Sequence, residues 1–335
     1  MKVLFVGGTG LISTAVTNIA AKKAIDLTVL NRGNKNQGLP SNVQTIVVDI
    51  NDKEKVKEVL KDKFFDVVVE WIAFTKEDVV RDYELFKSHT KQYIFISSAS
   101  AYQKPVQSVP ITENTPLENP YWEYSRNKIA CEVYLQSLND EAFKTTIVRP
   151  SHTYDDQSIV FQIKSWEHPY TVIDRMINDQ PIVIPGDGNT LWTLTHHEDF
   201  AEGFIDLFMN PDAFNEAFTL TSTFTFTWNE LANSFYKALD KTPKIIHIPI
   251  DFVVKYFPHL KAEIYGDNGY NAVFDNTKIK RVAPNYRSKI GYTDRVKKIV
   301  EFFQSDPSKQ TIDTKFNETY DAMIKAYSLR NSNEM

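Results

Sequence analysis

A chain of 335 residues with 42% hydrophobic content is long enough to bury one large core or two modest ones. Its formal charge of -5 gives no long-range attraction to phosphate backbones or anionic lipid, and no dense run of Lys and Arg makes a basic stripe, so neither nucleic acid nor membrane is the expected partner. The one cysteine, Cys131, excludes an internal disulfide framework; residues 1–25 lack the basic start and apolar run of a signal peptide, no later stretch reaches a membrane span, and a cytoplasmic setting is expected.

Lys2 to Val6 is a short apolar, valine-containing run that predicts a buried strand ending in the glycines Gly7, Gly8 and Gly10. Apolar positions then recur at helical spacing, as Leu11, Ala15, Ile19 and Ile12, Val16, Ala20. The alternation repeats, with strands expected at Leu27 to Leu30, Thr45 to Val48, Val67 to Trp71, Tyr93 to Ser97 and Thr145 to Val148. Helices are expected at Lys53 to Leu60, Glu77 to Phe86 and Tyr124 to Leu138. Strands alternating with helices imply right-handed crossovers and a doubly wound α/β domain with a parallel sheet.

Beyond about residue 155 the pattern loosens into aromatic-rich sequence. Residues 1–165, with a return near 199–225, are assigned to the dinucleotide-type domain, and the return is expected to add a strand at Phe218 to Thr221. Residues 166–198 and 226–335 are assigned to a smaller mixed substrate-side region. The last helix carries Phe316, Tyr320, Met323 and Tyr327 on one face, which is expected to dock on its own domain.

A parallel α/β sheet binds ligands at the carboxyl ends of its strands, where a helix N-terminus presents unpaired N–H groups to an anion. Gly7 permits the tight turn and Gly10 a close approach to a pyrophosphate, because neither has a Cβ. Asn31 stands at the end of the second strand, where an acid would hold the ribose hydroxyl of NAD, and Arg32 follows it. A guanidinium without a competing carboxylate accepts a 2'-phosphate, so NADP is the expected cofactor, with NAD possible if Arg32 is only a solvated loop residue.

Tyr124 and Lys128 are four apart on a helix and so share a face, where an ammonium would favour the phenolate and lower its pKa. They follow a strand ending in Ser97 and Ser98. With these residues the chain resembles an extended short-chain dehydrogenase/reductase of the NAD-dependent epimerase/dehydratase family, in the NAD(P)-binding Rossmann superfamily. The likeness is good over about the first 155 residues and looser beyond.

The resemblance implies catalytic roles for Ser98, four residues before Tyr102, and for Tyr124 as acid/base and Lys128 as holder of the nicotinamide ribose. It implies cofactor contacts at Gly7, Gly8, Thr9, Gly10, Leu11 and Ile12, at Asn31, Arg32, Asp49 and Ile50, and at Ala73, Lys128, Arg149 and Pro150. It also implies a homodimer through the helix carrying Tyr124 and the one near Glu77 to Phe86.

Three departures from the family pattern narrow the function. Ser13 replaces the third glycine, either setting the first helix farther from the sheet or donating to a phosphate. Ala99 and Ser100 replace the Asp-Glu pair of sugar dehydratases, which argues against dehydration. After the Gly186, Asp187, Gly188 turn, Trp192 stands where nucleotide-sugar enzymes carry a diphosphate-clamping arginine, so a substrate without a nucleotide is expected.

Trp71, Phe74, Trp122, His152, Tyr154 and Trp192 are candidates to surround a small polar or sugar-like substrate, or else core residues. His196 and His197 are neighbours on an extended segment and point to opposite faces, so no metal is expected, and Asp199 is assigned to capping the following helix. The alternative to an oxidoreductase or epimerase is a non-catalytic cofactor sensor or RNA-associated protein on the same fold. Some plastid relatives of that kind share an Asn-Arg-Gly segment like Asn31, Arg32, Gly33.

Overall fold

The computed structural model describes residues 1–284 and 286–333. The chain opens with strand β1 (Lys2–Val6), helix α1 (Leu11–Lys22), β2 (Asp26–Asn31), β3 (Gln44–Val47), α2 (Lys53–Leu60), β4 (Phe65–Glu70), α3 (Lys76–Phe86) and β5 (Thr90–Ile96). It continues through α4 (Glu123–Ser137) and β6 (Lys144–Pro150) to β7 (His152–Tyr154), α5 (Tyr170–Ile177), β8 (Ile182–Pro185), β9 (Leu191–His196) and α6 (His197–Ile205). Next come β10 (Glu216–Leu220), β11 (Thr225–Thr227), α7 (Trp228–Ala238) and β12 (Ile245–Ile248).

A seven-stranded sheet runs β10-β6-β5-β4-β1-β2-β3, and every pairing in it is parallel. The valine-rich centre of β4 is buried on both faces, which is why the run is continuously apolar rather than alternating. One face packs through Phe5, Val69, Phe200 and Phe204, the other through Leu4, Val68, Phe86 and Leu135. This is the doubly wound α/β architecture expected from the alternation, and the return strand is β10, paired with β6. Strand order reverses between β1 and β4, opening a crevice at the carboxyl ends of these two strands.

After Pro150 the chain leaves this sheet. β7 joins β9 and β11 in a three-stranded sheet, and β8 pairs with β12. The final helix (Thr314–Asn333) buries Phe316, Tyr320 and Met323 against Val183, Ile248 and Phe257, with Tyr327 partly buried beside them. Arg175, fully buried, lies 4.3 Å from the Tyr320 ring and 2.6 Å from Asp321, so this helix docks on its own chain. No helix among the described residues is long and apolar enough to cross a membrane.

Asp199 does not cap α6. His196 occupies that position and accepts from Glu198 N, whereas the Asp199 carboxylate accepts from Lys289 N and Ile290 N at 2.8 and 2.9 Å. Those long-range donors satisfy the acid better than the first turn of its own helix could.

Candidate active site

The glycine turn connects β1 to α1 under strong steric constraint. Gly7 and Gly8 have φ of +98° and +105°, and a Cβ on Gly7 would lie 3.0 Å from Ile72 Cγ2. Gly10 differs: a Cβ there would meet only Ser13 Oγ, at 3.5 Å, so internal packing does not require its glycine, and the residue lies open on the adjoining groove. Ser13 Oγ accepts from Gly10 N at 2.8 Å, so the serine satisfies one backbone N–H at the helix start. The Ser13 hydroxyl thus braces the glycine turn as an acceptor, with the Gly10 carbonyl 3.4 Å away as the acceptor for its own proton.

A groove of about 490 Å³ runs over the carboxyl ends of β1, β2 and β3. It is lined by Gly7, Thr9, Gly10, Asn31, Arg32, Asp49 and Ile50 among the expected cofactor residues, and also by Lys35, Phe74, Asp78 and Arg81. Asn31 is occupied internally, accepting from Gly33 N at 2.8 Å and donating to Asn36 Oδ1 at 2.7 Å. Arg32 and Lys35 supply the positive charge at that end. Ile12 packs against the core, Leu11 is exposed with its carbonyl 3.1 Å from His197 Nδ1, and the Gly8 carbonyl accepts from Thr17. Tight positive-φ glycines, a helix N-terminus and a long adjoining groove fit a dinucleotide.

A second pocket, of about 210 Å³, adjoins the carboxyl ends of β5 and β6. Ser98, Ser100, Trp122, Tyr124, Pro150, His152, Trp192 and Asp267 line it. The hydroxyls of Ser125, Ser100 and Ser98 form a relay with spacings of 2.8 and 2.9 Å, and Ser98 and Ser100 share the pocket wall with Tyr124. Burial raises the Tyr124 pKa above its ordinary value, and the neighbouring Ser98 hydroxyl opposes the rise. The sequence expectation that Lys128 would govern this phenol is thereby corrected: burial dominates.

Lys128 is almost wholly buried; its Nζ donates to the carbonyls of Ala73 and Ile96 at 2.7 and 2.8 Å and lies 5.8 Å from the Tyr124 ring centre. Desolvation pushes its pKa down to about 8. His152 is likewise held neutral by burial, down to about 3, with the Lys164 charge adding to the effect. Desolvation also lifts Asp267 to about 7.

Four expected contacts fall elsewhere. Tyr154 is fully buried, its hydroxyl donating to the Ile290 carbonyl and its ring packed edge-on against Tyr292, so it is core. Trp71 packs between Phe5 and Phe204, at 5.5 and 5.1 Å. Phe74 lines the dinucleotide groove rather than the small pocket, 6.3 Å from Tyr124. The Arg149 side chain makes no groove contact: it forks onto Glu132, with its closest approach at 2.6 Å, and donates to Tyr102 Oη at 2.9 Å, since a buried guanidinium must find its carboxylate inside the protein.

Asn119 was not singled out in the sequence. Its side chain donates to the Ser100 and Gly266 carbonyls at 2.8 and 2.6 Å and accepts from Tyr121 N and Trp122 N, tying the serine turn to the start of α4 and to the π-helical turn Ile264–Asn268. Asn-Pro is a turn signal that could have marked it.

A parallel sheet with a long groove at its switch point, beside a pocket lined by Ser98 and Tyr124, defines a Rossmann-type protein. The chain belongs to the NAD dependent epimerase/dehydratase family, which matches residues 3–220. It is 26% identical over 260 residues to the chloroplast stem-loop binding protein of 41 kDa b of Arabidopsis thaliana, covering 73% of this chain and 65% of that protein. It is 28% identical over 152 residues to UDP-glucose 4-epimerase of Lactobacillus helveticus, covering 39% of this chain and 45% of that enzyme. The chain thus spans less than two thirds of either relative's length. The solved UDP-glucose 4-epimerase of Bifidobacterium longum in complex with NAD+ and UDP superposes with a TM-score of 0.71 at 17% identity, over 92% of this chain and 100% of that one, a likeness of fold.

Proposed function

We propose that the chain is an NAD(P)-dependent oxidoreductase or epimerase acting at a hydroxyl or ketone carbon of a small polar or sugar-like substrate. The observation that carries this reading is the Ser125–Ser100–Ser98 relay, whose Ser98 and Ser100 line one pocket with Tyr124 next to the glycine groove. A bound nicotinamide dinucleotide supplies the hydride acceptor or donor. Tyr124 exchanges the proton of the reacting oxygen, Ser98 hydrogen-bonds that oxygen, and the serine relay fixes the Ser98 hydroxyl. Lys128 secures the turn at Ala73 and the end of β5, and its ammonium would hold the nicotinamide ribose of a bound dinucleotide. Residues 1–165 and 199–225 carry the cofactor; residues 166–198 and 226–335 shape the substrate side.

NADP is the proposed cofactor, because Arg32 and Lys35 line the groove where the second strand ends in Asn31 rather than an acid. A substrate lacking a nucleotide is proposed because the small pocket, of about 210 Å³, has no arginine among its described lining residues and ends on Trp192. A cytoplasmic homodimer, paired through α3 and α4, completes the proposal; a purely monomeric sedimentation profile at micromolar concentration would remove the dimer. The test of the chemistry is Tyr124→Phe: turnover falls by about 10²–10⁴ with dinucleotide binding intact. Unchanged turnover on the true substrate sinks the assignment.

The likeness to a plant stem-loop binding protein, together with Asn31, Arg32, Gly33, supports a second reading as an RNA-associated protein. Titration with single-stranded RNA over a salt series separates the two, since real phosphate contacts give a steep salt slope.

A further inference from the structure

Beneath the dinucleotide groove lie two carboxyls that the proposed chemistry does not use. Glu70, the last residue of β4, and Asp82, on α3, are both fully buried. Glu70 Oε1 accepts from Ile72 N at 2.6 Å, which fixes the first bend of the turn after β4. That turn presses Trp71 and Ile72 against Gly7 and carries Ala73, whose carbonyl takes the Lys128 ammonium. Asp82 accepts from Arg81 Nε and Nη2 at 3.0 and 2.9 Å and from Tyr93 Oη at 2.7 Å. Arg81 Nη1 continues to Asn51 Oδ1 at 2.7 Å and Asp78 Oδ1 at 3.0 Å, and Arg81, Asn51 and Asp78 all line the groove.

We propose that the Glu70–Asp82 pair is a positioning device for the cofactor, in which Glu70 sets the turn that holds Lys128 and Asp82, through Arg81, sets Asn51 and Asp78 at the other end of the groove. Neither carboxyl touches the groove itself; both act through what they hold. The pair rests on the reading of this groove as a dinucleotide site.

Electrostatics supports the arrangement. The groups facing Glu70 and Asp82 are each other, Arg81, Tyr93, Lys128 and Cys131. One guanidinium cannot neutralise two buried carboxylates, and Lys128 itself is drawn toward its neutral form. Desolvation, reinforced by Asp82, raises the Glu70 pKa well above its ordinary value, and desolvation raises that of Asp82 despite Arg81. Both shifts favour the protonated form, most strongly at Glu70, whose Oε2 has no hydrogen-bond partner among the described residues. The contact that sets the turn is made by Oε1 as an acceptor, and an amide oxygen can do the same.

The test compares wild type, Glu70→Gln and Glu70→Leu by calorimetric titration with NADP+ and NAD+, together with the midpoint of the Lys128 amine followed by NMR. The amide is expected to bind dinucleotide within about threefold of wild type, with the Lys128 midpoint unmoved. The leucine is expected to weaken binding by tenfold or more and to raise the Lys128 midpoint as the turn loosens. A role in stability alone would lower the melting temperature of the leucine variant and move neither readout.

Wild-type affinity and midpoint in Glu70→Leu overturn the proposal, as does a loss in Glu70→Gln equal to that in Glu70→Leu. Should the leucine variant fail to fold, carbon-detected NMR of the wild-type Glu70 and Asp82 carboxyls decides: one proton retained between them at neutral pH supports the pair, and two ionised carboxylates overturn it. Failure of wild type to bind either dinucleotide removes the cofactor reading as well, whereas binding that ignores Glu70 removes only this inference.

Discussion

The Lys128 ammonium and the Ala73 carbonyl are 2.7 Å apart, and the same ammonium reaches the Ile96 carbonyl at 2.8 Å, so one buried cation joins the ends of β4 and β5. The lowered pKa of Lys128 gives this contact a pH signature. Between about 8 and the ordinary lysine value the unfolded chain holds a proton that the folded protein has released, so stability rises with pH through that window. Below about 8 wild type carries the full cost of burying the charge, on the order of 3 kcal/mol. The stability advantage of Lys128→Met over wild type is therefore expected to be larger near neutrality and to shrink by that amount in alkali. Denaturant melts across the window check it; a pH-independent difference would refute the assignment.

Arg32→Ala is expected to weaken NADP binding by roughly 10–100-fold, the loss of one or two charge-assisted hydrogen bonds, and to leave NAD almost unchanged. Lys35→Ala should give a smaller effect in the same direction. Calorimetry with both dinucleotides is the measurement, and equal affinities in wild type and Arg32→Ala would discard the phosphate contact.

Glu132, on α4, takes the Arg149 fork from β6 and the Ser97 hydroxyl from the end of β5. Glu132→Gln leaves a buried guanidinium without its counter-charge and is expected to cost about 3–5 kcal/mol. Replacing both partners at once, as Glu132→Gln with Arg149→Met, should cost less than the single change. A double-mutant cycle in urea tests that order.

Asn119→Ala removes the brace between the serine turn, the start of α4 and the Ile264–Asn268 turn. Stability should fall by about 2–3 kcal/mol, because several buried backbone groups lose their partner. Turnover should fall further than dinucleotide affinity, since the serine turn lines the small pocket and not the groove. A parallel loss of both would assign Asn119 a purely architectural role.

What the sequence disclosed is what is encoded locally. The glycine turn, the Tyr124–Lys128 spacing and the strand–helix alternation each depend on residues a few positions apart, and all are visible in a linear pattern. Of the two readings open for Tyr154, pocket or core, the line of sequence could not choose core, because its partners, the Ile290 carbonyl and the Tyr292 ring, lie far along the chain. Arg149 was misjudged because nothing in the line marks Glu132, on the neighbouring helix, as its counter-ion. Asn119 reaches across 147 positions to Gly266, a contact only the folded chain creates. The phenol of Tyr124 shows the same limit in electrostatics, for spacing gives proximity to an ammonium but not the desolvation that outweighs it.

The place of β10 at the edge of the large sheet governs how the molecule can be made. Five strands of the sheet are complete once Ile96 has been synthesised and β6 follows by Pro150, but β10 arrives only with Glu216–Leu220. Until then the outer edge of β6 offers its unpaired N–H and C=O groups to any neighbouring strand. A nascent chain stalled between these points, or a fragment cut there, exposes the edge of β6 that β10 covers, so residues 151–215 must be made before β6 is paired on both sides.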